Sequence, residues 1–179
     1  MKIQESRKHF VLFYMAGFFV GILYANLQSK DYIASMGIFN EFFLNQYSVT
    51  SINMQEYAWY IIRVRLTPII VITVFGYTKL KKVIAGIFLL WTGFSSGLII
   101  TAAVMKMGVK GIILCLIAVF PHFILYIAGY LILLWYLYGY PKVQWNAPKT
   151  IVFFLLIAVG IILECYVNPV IMQMFIQTL

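Results

Sequence analysis

Three groups of residues in this sequence are of types that can do chemistry. Glu164, one of only five acidic residues, follows the uncharged apolar run Ile151–Leu163 and precedes Cys165, Tyr166 and Val167. Arg63 and Arg65 interrupt a second apolar stretch, Tyr57–Tyr77. Ser95 stands in Gly93-Phe94-Ser95-Ser96-Gly97, which matches a G-x-S-x-G pattern, and His122 lies in the next apolar run. The first two groups suit an ion pair. The third suits, in principle, a hydrolytic dyad.

The dyad fails on local chemistry. Nucleophilic serine needs an imidazole within hydrogen-bond reach, together with water and an oxyanion hole. In soluble hydrolases the motif works at a strand-to-helix turn, whereas a mid-helix serine has its neighbouring N–H groups already committed. The expectation is therefore a non-enzymatic chain. No cofactor or metal is expected either: His9 and His122 lie in different regions, and Asp31 is the only aspartate. Ionisable groups inside membrane spans are expensive and are usually paired or line a polar cavity. A pair between Glu164 and one arginine is the economical reading, and a proton or substrate relay is the sharper alternative. Two residues apart, the arginines point about 200° apart around a helix, so one alone can face the interior. Arg65, the deeper, is expected to pair, and Arg63 to snorkel outward.

The elements that must position these groups are membrane spans. Hydrophobic residues make up 64% of the chain and charged residues 10%, against roughly 45–50% and about 25% in soluble domains. A hydrocarbon core about 30 Å thick needs about 20 helical residues. Five segments meet that need: 10–27, 57–77, 83–105, 111–139 and 150–167. The result is an all-α integral membrane helical bundle, a single domain of five spans. Pro121 divides the fourth, either as a kink in one helix or as a break between two half-helices, since proline removes a backbone donor. The Asn168-Pro169 step is expected to end the fifth.

Of the 13 Lys and Arg residues, eight (Lys2, Arg7, Lys8, Lys79, Lys81, Lys82, Lys142, Lys149) fall on one side of this topology. The remaining five (Lys30, Arg63, Arg65, Lys106, Lys110) fall on the other. Basic residues bias short loops to the cytoplasm, so the N-terminus is expected inside and the C-terminus outside. The net charge of +8 reflects topology, not nucleic-acid binding. Trp135, Tyr136, Tyr138 and Tyr140 read as an aromatic belt at the inner face. Residues 28–56 form the sizeable polar stretch, in which Ile33, Met36, Phe39, Phe42 and Phe43 recur at helical spacing. A short extracytoplasmic amphipathic helix is expected there, docked on the bundle or offered to a partner.

Gly17 and Gly21, and Gly93 and Gly97, stand four apart, with Gly86 on the face shared by the second pair. Small residues at this spacing let helices approach closely in lipid. Packing is the expected role, and a glycine-lined substrate groove the alternative. Cys115 and Cys165 read as small buried residues rather than a disulfide.

In order and spacing, several segments resemble the stage II sporulation protein M family of multispanning bacterial membrane proteins. They are FYMAGFFVGILYAN, VIAGIFLLWTGFSSG, the Met-Gly loop before GIILCLIAVFPHFIL, and ECYVNP. ECYVNP is similar to that family's Glu-x-Tyr-x-x-Pro ending, and Pro121-His122 to its Pro-His or Pro-Gln step. The chain departs from the pattern at Phe123 and Tyr126, where many members carry glycine and glutamate. The resemblance implies a scaffold at the septal cell membrane that recruits cell-wall hydrolase partners during forespore engulfment. Beyond those partners and the lipid bilayer itself, self-association is the further interaction it leaves open. Relatives in circular-bacteriocin gene clusters give a permease-like role in export or maturation as the second expectation.

Overall fold

The structure is a computed structural model that describes residues 2–28, 53–76 and 78–177. The described residues form an all-α bundle without strands: α1 (Lys2–Leu27), α2 (Met54–Gly76), α3 (Lys81–Met107), α4 (Val109–Val119), α5 (His122–Gly139), α6 (Ala147–Tyr166) and α7 (Asn168–Ile176). Five segments are long and apolar enough to cross a membrane: Lys8–Leu27, Met54–Gly76, Lys81–Met107, His122–Gly139 and Ala147–Ile176. The chain is a multi-pass membrane protein. Its surface is accordingly apolar, with Val11, Leu23, Trp59, Val74, Trp91 and Ile151 all exposed. The amphipathic helix expected over 28–56 falls almost wholly outside the described residues.

At the helix boundaries one alternative is decided and one expectation changes. The run 111–139 is two helices, because Phe120 is extended (φ −86°, ψ 141°) and ends α4. Proline clashes with a helical residue before it, and α5 starts afresh at His122. α4 is only 11 residues long, about 16 Å by helical rise, so it does not cross on its own. It folds back on α3 through Gly108, whose φ of 59° and ψ of −135° exclude a side chain. A Cβ on Gly111 would run into the Ala103 carbonyl, so this antiparallel approach also needs a glycine.

Asn168-Pro169, expected to end the last span, instead interrupts it. Val167 keeps near-helical angles (φ −91°, ψ −44°), and α7 continues with Pro169 in its first turn. Proline is well tolerated there, since first-turn N–H groups lack helical acceptors anyway. α7 packs on α4, and a small core of Ala25, Ala102, Ala103 and Leu114 joins them, with Met172, Phe175 and Ile176 against it.

The main core is built by α2, α3, α5 and α6 around Ile72, Leu89, Leu134, Leu137, Phe153 and Ile157. At its basic end, lysines lie over aromatic faces: Lys81 Nζ is 3.4 Å from the Tyr140 ring centroid, Lys82 Nζ 5.6 Å from that of Tyr138, and Lys149 Nζ 5.7 Å from that of Trp135. Cation–π contacts suit a layer where apolar rings meet charge. The bases and the aromatic belt thus share one end of the bundle.

α1 and α3 run parallel and interlock through their glycines. A Cβ on Gly17 would fall on the Leu90 carbonyl, on Gly21 on that of Phe94, on Gly93 on that of Tyr14, and on Gly97 on that of Phe18. Each glycine therefore receives a backbone carbonyl of the opposite helix, which brings the two axes close and suits weak Cα–H···O contacts. Gly86 differs: a Cβ there would meet only the Phe13 ring at 3.7 Å, an ordinary contact. Tyr14 and Ser96 add a hydroxyl–hydroxyl bond of 2.9 Å across the seam.

Candidate functional site

A buried polar cluster joins three helices. α6 supplies Glu164, about 25 Å along the helix from Ala147 by rise and 5% exposed. α2 supplies Arg65, whose Nε donates to Glu164 Oε2 at 2.8 Å while its Nη2 donates to Oε1. The guanidinium therefore grips the carboxylate with two parallel bonds, the strongest ion-pair geometry available to these groups. α5 supplies Tyr126, whose hydroxyl donates to Oε2 at 2.7 Å and whose ring lies 4.9 Å from the Arg65 guanidinium carbon. His122, one turn earlier on α5, brings Nε2 to 3.8 Å from Oε1 and sets its ring edge to face with Tyr126 at 5.7 Å.

Local sequence explains how each group reaches the centre. Gly160 lies one turn before Glu164, and a Cβ there would collide with the Tyr126 ring. The missing side chain gives the tyrosine a bed on α6 from which its hydroxyl meets the carboxylate. Pro121 ends α4 and lets α5 begin with His122 already at the level of Glu164. On α2, Arg65 is half-buried while Arg63 is exposed on the opposite side of the helix, as the 200° separation requires.

Of the residues singled out from sequence, Glu164, Arg65 and His122 come together here, with Asn168 one turn beyond Glu164 and Pro169 buried beside it. Gly17, Gly21, Gly93 and Gly97 gather instead in the α1–α3 seam. Ser95 makes no hydrogen bond to His122. Its neighbour Ser96 donates to the Thr92 and Gly93 carbonyls within α3 and pairs with Tyr14. Ser96 is thus committed to α3 and α1, and no hydrogen bond joins either serine to His122. Tyr126 and Gly160 were missed by sequence reasoning. Their signal was a pair of four-residue steps, His122 to Tyr126 and Gly160 to Glu164, on helices that turn out to be neighbours.

Chemically, both oxygens of Glu164 are engaged, which suits a tie between helices better than a free base or nucleophile. Among the described residues no group of three or more His, Cys, Asp and Glu side chains could hold a metal ion. Cys115 and Cys165 are free thiols.

Fold and site together define a class: a polytopic helical membrane protein whose spans are cross-linked by a buried carboxylate. No protein-family model, curated protein or solved structure matches the chain.

Proposed function

We propose that this chain is a non-enzymatic scaffold of the bacterial cell membrane, of the stage II sporulation protein M type. In this reading it localises peptidoglycan-remodelling partners at the septum during forespore engulfment. The resemblance of its glycine-spaced first span, its Pro-His step and its ECYVNP ending motivates the reading. The observation that carries it is the anchoring of the two helices that flank the extracytoplasmic stretch. α1, which leads into residues 28–56, is seated on α3 by four interlocking glycines. α2, which follows them, is tied to α6 through Arg65 and Glu164. Firmly seated flanking helices are what a scaffold needs, because a partner then meets the presenting segment with less ordering cost.

The test replaces residues 30–52 with a Gly-Ser linker of equal length in the full chain. The bundle should still form, and cross-linking to a membrane-anchored cell-wall hydrolase, strong in the parent chain, should be lost. Undiminished hydrolase capture by the linker variant would overturn the proposal.

One observation favours a second reading, a permease-like component for export or maturation of a peptide or for a small solute. α4–α5 and α6–α7 are both interrupted within the bundle, and discontinuous helices with polar groups at the break are how many transporters build substrate sites.

A further inference from the structure

The two interruptions are adjacent: α4 packs on α7, and α5 on α6. At the two breaks themselves, where α5 and α7 begin, two buried polar atoms, His122 Nδ1 and Asn168 Oδ1, have no hydrogen-bond partner among the described residues. His122 is 2% exposed and Asn168 9% exposed, so neither atom is answered by the surrounding medium. In hydrocarbon an unanswered polar atom is strongly destabilising, and native structures rarely leave one.

The chemistry of the surroundings narrows what could answer them. The Arg65 and Glu164 charges cancel within their bidentate pair, so the site has no net charge with which to attract an ion. With Nε2 turned toward the Glu164 carboxylate, the single N–H of a neutral imidazole belongs on that nitrogen, and Nδ1 is left as an acceptor. Asn168 Oδ1 is an acceptor too. Proline has no N–H, so Pro121 leaves the Ile117 carbonyl without its i+4 donor, and Pro169 does the same to Cys165. The groups that lack a donor at the breaks are therefore acceptors in a neutral setting, and the complementary ligand is a neutral donor.

We infer that the paired helix breaks form a binding site for a small neutral molecule with two O–H donors, water or a small diol, which donates one O–H to His122 Nδ1 and the other to Asn168 Oδ1. The site goes beyond both functional readings, and it stands or falls independently of hydrolase capture.

The experiment uses the full chain carrying His9→Gln, so that His122 is its one histidine, labelled with ¹⁵N-histidine and reconstituted in phospholipid vesicles. Water-edited magic-angle-spinning spectra should transfer magnetisation from water protons to the His122 ring, and Asn168→Leu should abolish the transfer. Thermal unfolding supplies a sign test. If a ligand bridges the two atoms, Asn168→Leu lowers the melting temperature, because it strands the bound molecule and the imidazole. If nothing binds, the same substitution removes an unsatisfied oxygen and raises it. Ethylene glycol distinguishes the two sources. A dose-dependent stabilisation that Asn168→Leu eliminates identifies a solute diol, and water transfer without that stabilisation identifies water. A dry His122 ring, with Asn168→Leu at or above the parent melting temperature, would overturn the inference.

Discussion

The α1–α3 seam and the α2–α5–α6 cluster solve one problem by opposite means. Lipid tails are as apolar as leucine, so no hydrophobic force holds spans together once they are inserted. The seam answers with shape: four glycines admit four backbone carbonyls, and the energy is spread over many weak contacts. The cluster answers with direction, as one carboxylate takes two bonds from Arg65 and one from Tyr126. Shape tolerates no added atom but survives the loss of a polar group. Direction tolerates small changes of volume but fails when one partner is removed. The two regions should therefore respond to mutation in different ways.

The largest effect is expected in the seam. Gly17→Leu or Gly93→Leu would drive a side chain into the Leu90 or Tyr14 carbonyl. Backbone cannot move aside as a flexible side chain can, so the helices must part along the whole interface. Overpacking costs typically about 1–3 kcal/mol and occasionally more, and here the upper end or beyond is expected. Folded yield and melting temperature in detergent should fall sharply. Gly86→Ala, which faces only a ring edge at ordinary contact distance, should be tolerated. Equal damage at Gly86 and Gly93 would mean that the seam is not specifically glycine-fitted.

The next effect belongs to the ion pair. Glu164→Gln leaves Arg65 in a partly buried place without its counter-charge. Breaking a buried pair costs about 3–5 kcal/mol in soluble proteins, and membrane interiors give smaller values, so about 2–3 kcal/mol is expected here. Adding Arg65→Leu should recover much of that loss, because the double variant strands no charge. A double-mutant cycle isolates this coupling from the individual costs. Zero coupling would show that Glu164 is held for a reason other than Arg65, and a relay role would gain ground.

The contrast also explains what was legible in advance. Length and apolar composition defined the five spans, because the bilayer thickness leaves few alternatives. The glycine pairs and the Arg65–Glu164 pair were legible because each is a chemical exception within an apolar segment, and exceptions in lipid demand partners. The breaks were only half legible. Proline at 121 and 169 announced a disturbance, but whether the chain kinks, stops or restarts depends on what the next turn packs against. For Asn168 that is α4, brought there by the turn at Gly108. Tyr126 and Gly160 were hidden for a similar reason. A tyrosine and a glycine in apolar helices are unremarkable until the fold sets one over the other.

Tyr126→Phe tests the cluster more gently. It removes one hydroxyl and leaves the ring on Gly160 and the guanidinium stacked on that ring. Membrane-embedded hydrogen bonds average about 0.6 kcal/mol and rarely exceed about 1.7, so a loss of about 1 kcal/mol is expected, well below that of Glu164→Gln. The substitution should also weaken the Arg65–Glu164 coupling, since the phenol and the guanidinium share Oε2. An unchanged coupling would separate the tyrosine from the clamp and make it a packing residue alone.

The smallest effect is expected at Arg63, and it decides whether the arginines were distinguished for the right reason. Arg63 and Arg65 have the same chemistry and nearly the same depth, and they differ in the face of α2 that they occupy. Arg63 is exposed and Arg65 carries the bonds to Glu164. An exposed charge in detergent or at the lipid boundary can extend its stem toward water, and solvated ions contribute about 0–1 kcal/mol. Arg63→Leu should therefore shift the melting temperature little, and its cycle with Glu164→Gln should be additive. Arg65→Leu in the same background should be strongly coupled. Reversal of that order, with coupling at Arg63 and additivity at Arg65, would require α2 to be rotated by about half a turn. The polar clamp, together with its contrast to the seam, would then have to be abandoned.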